Sequence, residues 1–334
     1  MSKRYSRATV WAVMEADDPI CHSGMSEGNA QPFRKRDIIS DDGLTEPIPF
    51  ISGNSIKHWL RENSAAFALE ALDFDTGDLD KSITRLLFAG GTLQSGKSSK
   101  FKDACRAEDI FPALQLCGYA AGNQMSESTV RVRFAEVLCR ENAGRRQHII
   151  EKIDESRLPM FEHPADHYIE TQFEAPRDPH TSKSTGRWTD NDQREQIADD
   201  MANRESDDGD SRGFHEFDTL KSGTVLLCGF DFPHGVTDVE LAAFRSAFAF
   251  GSMGRGIDGG LRMLLGGKTA RGYGEVSTHL HGYLAEGIDP AHTYQNTDAF
   301  AVEEKFDGPM EQYVESLQAA GKDEVYDALE EVVS

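Results

Sequence analysis

A chain of 334 residues, 38% hydrophobic and 28% charged with a formal charge of −22, is long enough for one elaborated domain and apolar enough to fill its core. No run approaches the roughly 20 apolar residues that span a bilayer, and the leading MSKRYSRATV has no apolar stretch behind its charges, so neither a membrane span nor secretion is expected. The five cysteines (Cys21, Cys105, Cys117, Cys139, Cys228) are odd in number and form no CxxC pair, which argues against a disulfide framework or a zinc site and fits reduced thiols in a cytoplasmic protein.

Residues 8–16, ATVWAVMEA, read as a strand ended by Asp17-Asp18-Pro19. A polar, glycine-rich loop is predicted from Cys21 to about Pro49. Ser52 or Asn54 then caps a helix over 55–69, on which Ile56, Trp59, Leu60 and Phe67 fall at helical spacing. Residues 81–125 mix a short helix, the loop GGTLQSGKSSK and the apolar segment FPALQLCGYAAG. Over 129–139, Val130, Val132 and Phe134 alternate with Arg131 and Arg133, the pattern of a half-buried strand. From about 170 to 218 the apolar content collapses, with Pro176, Pro179, Gly186 and Gly209 as punctuation; this is too long for an idle connection. A strand returns at 223–232 (GTVLLCGFDF), followed by an amphipathic helix over 238–250 that carries Leu241, Phe244 and Phe248. A short strand at 261–265, the loop GGKTARGYGEV and a last strand follow, and from Asp307 two short helices divide at Gly321. Strands and helices interleaved around one sheet predict the α+β class.

The charge is segregated. Residues 298–334 carry eleven acids against Lys305 and Lys322, and 188–212 carry nine acids against three arginines. Basic residues cluster elsewhere: Arg34-Lys35-Arg36, Arg131 with Arg133, Arg145-Arg146, and the series Arg255, Arg262, Lys268, Arg271. A polyanion prefers a basic protein, but binding depends on where charges sit rather than on their sum. A salt-tolerant source explains the acidity as readily as a function does.

Two motifs carry the most chemistry. In PFISGNSIKHWLRE (49–62) a strand ends at Ser-Gly-Asn and a helix begins, so free backbone N–H groups near Lys57 offer a seat for a phosphate. In GGKTARGYGEV (266–276) the glycines let a loop lie against another backbone, while Lys268 and Arg271 add positive charge. Each alone is equally a turn with a helix cap.

Together and in this order, the two motifs resemble the CRISPR RAMP superfamily, specifically its Cas7-like backbone subunit that coats guide RNA. HSG (22–24) with GNAQPFRKRD (28–37) resembles that family's loop after the first strand, and FHEFDTLKSGTVLLCGFDF (214–232) its return strand after the thumb. FPALQLCGYAAGNQM (111–125) running into VRVRFAEVLCRE (130–141) is similar to the type IV version.

The resemblance, spread over about 8–280, implies an RRM-like (ferredoxin-like) domain over 1–282. Its palm would carry a thumb hairpin at about 170–215 and a helical finger region at about 63–128, with 283–334 as an acidic helical C-terminal extension. It implies RNA contacts at His22, Arg34, Arg36, Ser52, Asn54, Lys57, Arg61, Arg255, Lys268 and Arg271, and at Lys183 and Arg187 beside Trp188 in the thumb. It further implies a guide RNA (crRNA) as ligand, other copies of the chain packed head to tail, a large subunit and a Cas5-like end-capping subunit as partners, and a target nucleic acid reached through the guide. No cofactor, metal or membrane is expected. Backbone contacts without base readout suit a protein that must hold any guide.

Two other readings stay open. Type III relatives that cleave target RNA carry an Asp in the loop after the first strand; GNAQPF has no acid, and Asp37 lies beside Arg36, where an ion pair is expected. An endonuclease is therefore the second reading and a non-catalytic subunit the first. Residues 91–98, GTLQSGKS, satisfy GxxxxGK[ST], and Asp231 ends a strand as a Mg²⁺-binding acid would, so a P-loop ATPase is the third. That motif needs a strand directly before it, whereas Ile83, Leu86 and Leu87 recur at helical spacing. His163 and His167 have helical ligand spacing but are interrupted by Pro164.

Overall fold

The computed structural model describes residues 4–24, 30–75, 77–93, 100–174, 215–252, 260–285, 300–301 and 307–333. The first long strand, β1 (Arg7–Ala16), is buried on both faces. Ala8, Val10, Ala12, Met14 and Ala16 enter the main core, whereas Trp11 and Val13 enter a smaller one with Ile150 and Phe161. The period of two that gives a strand its two faces divides these residues.

The region from Cys21 to Pro49 is not the loop expected from its polarity. It contains β2 (Lys35–Ile39) and β3 (Thr45–Ile51), paired antiparallel from Lys35↔Pro49 to Ile39↔Thr45. The strand expected to end at Ser52-Gly53-Asn54 is β3; Pro47 and Pro49 obscured how far back it reaches, because proline gives no ladder donor and reads as a strand breaker. The order of the main sheet puts β2 at its edge. Helix α1 (Gly53–Ala71) starts where its cap predicts: Ser52 is extended, and its side chain accepts from the Ser55 N–H. Ile56, Trp59 and Leu60 face the core.

The finger region follows as α2 (Lys81–Ala89), α3 (Phe101–Ile110), α4 (Pro112–Cys117) and a hairpin of β4 (Tyr119–Ala121) with β5 (Gln124–Ser126). A helix, α2, therefore stands directly before the GxxxxGK[ST] stretch, where a phosphate-binding P-loop would need a buried strand. Residues 94–98 of that stretch lie outside the described residues.

The strand expected over 129–139 is broken into β6 (Arg131–Val132) and β7 (Ala135–Val137). The break turns Phe134 outward, so it is 43% exposed rather than on the apolar face with Val130. Helix α5 (Ala143–Ile153), to which the sequence reading assigned no element, covers the smaller core with Ile150. Then β8 (Ile169–Glu174) pairs antiparallel with β9 (His215–Leu220). Residues 175–214, which hold most of the expected thumb with Lys183, Arg187 and Trp188, lie outside the described residues, as does Arg255.

The chain returns through β10 (Val225–Phe232), α6 (Asp238–Ser252), β11 (Leu261–Leu264) and β12 (Glu275–Ala285). Neighbours in the main sheet run β11-β12-β1-β10-β7-β3-β2. Its centre, β12-β1-β10-β7, is antiparallel throughout. With α1 after β1 and α6 after β10, this is the βαββαβ palm of a ferredoxin-like unit, and the protein is α+β. Phe244 and Phe248 of α6 pack edge-on against Phe230, and Phe248 against Trp59, which fastens both helices to one face of the sheet. The terminal helices α7 (Asp307–Ala320) and α8 (Lys322–Val333) divide at Gly321, as its φ of 78° allows. Their Tyr313, Leu317, Val325 and Leu329 share a second core with Leu86, Leu87 and Phe111 of the finger helices. Among the described residues no helix is long and apolar enough to cross a membrane.

Candidate nucleic-acid interface

Three segments remote in sequence meet at one edge of the palm. After β1 the chain passes Cys21, whose carbonyl accepts from Gly267 N–H at 2.7 Å. Gly266 makes this approach possible: its φ is +82°, and a Cβ there would stand 2.2 Å from the Cys21 oxygen. The neighbouring His22 faces the other way, and its Nε2 accepts from the Ser52 N–H at 3.3 Å, directly before α1. His22 thus stands between the glycine loop and the helix start. Burial first, and the Arg34 charge second, hold its pKa below the ordinary 6.5, so the neutral ring keeps the lone pair this hydrogen bond needs.

The glycine loop points its cations at the β8–β9 hairpin. Lys268 is a non-glycine residue at φ 59°, an unusual left-handed conformation. Its Nζ lies 2.9 Å from Glu174 Oε2 and 3.3 Å from the centroid of the Phe217 ring. Arg271 pairs with the same carboxylate oxygen. The hydrogen bond from Lys268 is the chief reason the Glu174 carboxyl lies below its ordinary 4.5. Lys268 and Arg271 thus share one acidic partner.

The helix start offers a separate recess. Asn54 and Lys57 on α1, with Arg131, Ser128 and His234 opposite, line an open cleft of about 390 Å³. Burial pulls the Lys57 ammonium below its ordinary 10.5, with Arg61 adding to the effect and Cys117 opposing it.

Arginines on the other side of His22 lie over rings. Arg34 is 5.5 Å from the Phe50 centroid, and Arg36 is 5.0 Å from that of Phe134. Arg36 does not pair with Asp37 as expected, since successive side chains of a strand point apart. Its Nη1 reaches Glu136 instead, at 3.2 Å. Arg61 takes a different course, donating to the carbonyls of Cys117 and Gly118 at 3.1 Å each and so tying α1 to the end of α4. Arg133 clamps Asp231 through two contacts of 2.7 and 3.0 Å, so the acid that could pass for a Mg²⁺ ligand is ion-paired. His163 and His167 stack at 4.4 Å.

Of the twelve candidates, the structure gathers His22, Arg34, Ser52, Lys268 and Arg271 around Cys21–His22, places Asn54 and Lys57 in the cleft, puts Arg36 over Phe134, and turns Arg61 to the finger helices. Sequence reasoning missed Glu174, Phe217, Phe50 and Phe134. Phe134 carried a signal, the alternation with Arg131 and Arg133, that pointed to the core instead; Phe217 stands in the alternating HEFDTL, and Phe50 and Glu174 depend on which strands become neighbours.

Fold and edge together define an α+β protein with a ferredoxin-like palm and a glycine-framed cationic edge. No protein-family model matches the sequence, and none of the curated proteins matches it. Solved structures to which the chain is similar include a chain of a "Type IV-B CRISPR Complex", at 16% identity and a TM-score of 0.44 over 90% of this chain and 99% of that one. Csc2 of Thermofilum pendens is similar at 15% identity and a TM-score of 0.40, over 98% of this chain and 85% of its own.

Proposed function

We propose that this chain is a non-catalytic RNA-binding subunit that lines up head to tail along a guide RNA in a CRISPR effector complex of the type IV kind. The observation that carries the reading is the meeting of His22, the start of α1 and the Lys268–Arg271 loop at one palm edge. These are the segments whose sequences resemble the guide-coating family, and the fold makes them neighbours although some 250 residues separate the first from the last. Lys268 and Arg271 contact phosphates, and a phosphate takes the place that Glu174 fills in the protein alone. Such contacts position a strand without reading its bases, as a subunit serving any guide requires. Copies arranged head to tail on RNA form open filaments whose length the RNA sets. A large subunit and a Cas5-like subunit cap and extend the assembly. The missing acid in GNAQPF and the pairing of Asp231 with Arg133 support a subunit that does not cut.

The test is purification from expressing cells, followed by nuclease treatment and rebinding of synthetic single-stranded RNA. Co-purified RNA should raise the 260/280 absorbance ratio. The double variant K268A/R271A should weaken binding about equally for all sequences, with the slope of log K against log salt falling by about 1.4, or 0.7 per lost phosphate contact. A protein that is free of RNA, monomeric and indifferent to added RNA at low salt overturns the reading. Mg²⁺-dependent cutting of RNA complementary to the guide overturns its non-catalytic part.

A further inference from the structure

The aromatic and basic side chains beyond His22 form a second, separate arrangement. Phe50 and Glu136 are direct partners across β3 and β7. Phe134 sets its ring 5.0 Å from Phe50, at 60°. Phe50 is 5% exposed, whereas Phe134 is 43% exposed, so the inner ring acts as a footing and the outer one faces solvent. Arg36 lies over the outer ring and also reaches Glu136, together with Arg146 at 2.7 Å and Arg145 at 4.0 Å. Glu136 is fully buried, so one carboxylate is shared by three guanidinium groups, and the patch keeps positive charge. Arg145 is the most distant of the three and 37% exposed, which leaves it donors to spare.

An exposed phenylalanine covered by one arginine and close to a cluster of two more has two natural occupants. Protein–protein contacts deplete charge at their centre. Single-stranded nucleic acid combines the two chemistries found here, a π-face for stacking and phosphates for arginine. The patch is also continuous with the palm edge, since the His22 ring lies 6.4 Å from Phe50. We infer that Phe134 is a stacking post for one unpaired base of a bound RNA strand, with Arg145 on an adjoining phosphate. The inference rests on the RNA-binding reading above and extends it from phosphate contact to base contact. Because every base has a π-face, the post adds affinity without sequence preference.

The experiment uses the full chain stripped of nucleic acid and single-stranded RNA oligonucleotides, either homopolymeric or carrying one 2-aminopurine. F134L keeps an apolar side chain at a half-exposed position and removes the ring; F134W keeps a ring. F134L should weaken binding by about 5- to 100-fold for U-rich and A-rich RNA alike, the range for one stacked base. F134W should bind as the native protein does. Quenching of 2-aminopurine should be lost with F134L only. R145A should lower the salt slope by about 0.7. Native affinity and quenching in F134L, while K268A/R271A weakens binding, overturn the stacking post and leave the RNA reading standing. If neither variant changes binding, both fall. If F134L abolishes self-association of RNA-free protein but binds RNA normally, the ring is a protein contact and the inference is wrong.

Discussion

Arg61 and Lys268 carry the same charge and both stand beside motifs that read as phosphate-binding, yet the fold uses them in opposite ways. At the junction of α1 with the finger helices, Arg61 donates to two carbonyls that helix α4 leaves unpaired at its end. At the palm edge, Lys268 and Arg271 meet a single carboxylate on a neighbouring hairpin, with Arg271 63% exposed. The first arrangement satisfies fixed backbone groups and has no replaceable partner. The second holds a carboxylate that another anion can displace. A cationic interface is thus defined by how replaceable the partners of its charges are, and counting charges does not find it. The same rule explains how a chain of net charge −22 can still present a cationic edge.

The contrast can be broken by substitution. The largest effect is expected from Arg61→Ala, which strands two carbonyls; a loss of about 2–3 kcal/mol should lower the thermal midpoint by several degrees. Its RNA affinity, measured below that midpoint, should match the native value. A drop as deep as that of K268A/R271A would show that Arg61 belongs to the interface after all.

A smaller effect of opposite sign is expected from Glu174→Gln. With the competing charge removed, RNA affinity at low salt should rise a few-fold, and the gain should shrink as salt screens it. Unchanged or weaker binding would mean that Glu174 merely positions the two cations.

The smallest effect concerns His22. Its folded pKa lies below its ordinary 6.5, so the unfolded chain takes up the proton first. The stability contributed by the neutral ring is fully present above pH 6.5 and is lost as pH falls through the lower folded value. Protonation also removes the acceptor for Ser52, so the protection of the Ser52 amide against hydrogen exchange, relative to its intrinsic rate at each pH, should fall over that interval. His22→Gln should abolish the pH dependence, and its persistence would assign it to another group.

Local signals made much of the fold legible. Ser52 announced α1 because a cap acts on the amide three residues ahead. The alternation of ATVWAVMEA and the run GTVLLCGFDF gave β1 and β10, and Leu241, Phe244 and Phe248 gave α6. Gly321 divided the terminal helices. The site was legible in part: the glycines of 266–274 signalled a close backbone approach without naming its partner, which proved to be the carbonyl of Cys21. The failures had physical causes. Pro47 and Pro49 hid the first residues of β3 and with them its pairing with β2, and a break at Arg133–Phe134 placed an apparent core residue at the surface.

By itself, then, the sequence determined the type of its strongly patterned elements, the cap of α1 and the glycine positions, because these depend on dihedral preferences and hydrogen bonds within a few residues. The availability of each charge was decided only by tertiary structure. Whether Arg61 caps a helix, Arg133 clamps an aspartate or Lys268 holds a replaceable carboxylate depends on partners 56, 98 and 94 residues away, which only the folded sheet brings near.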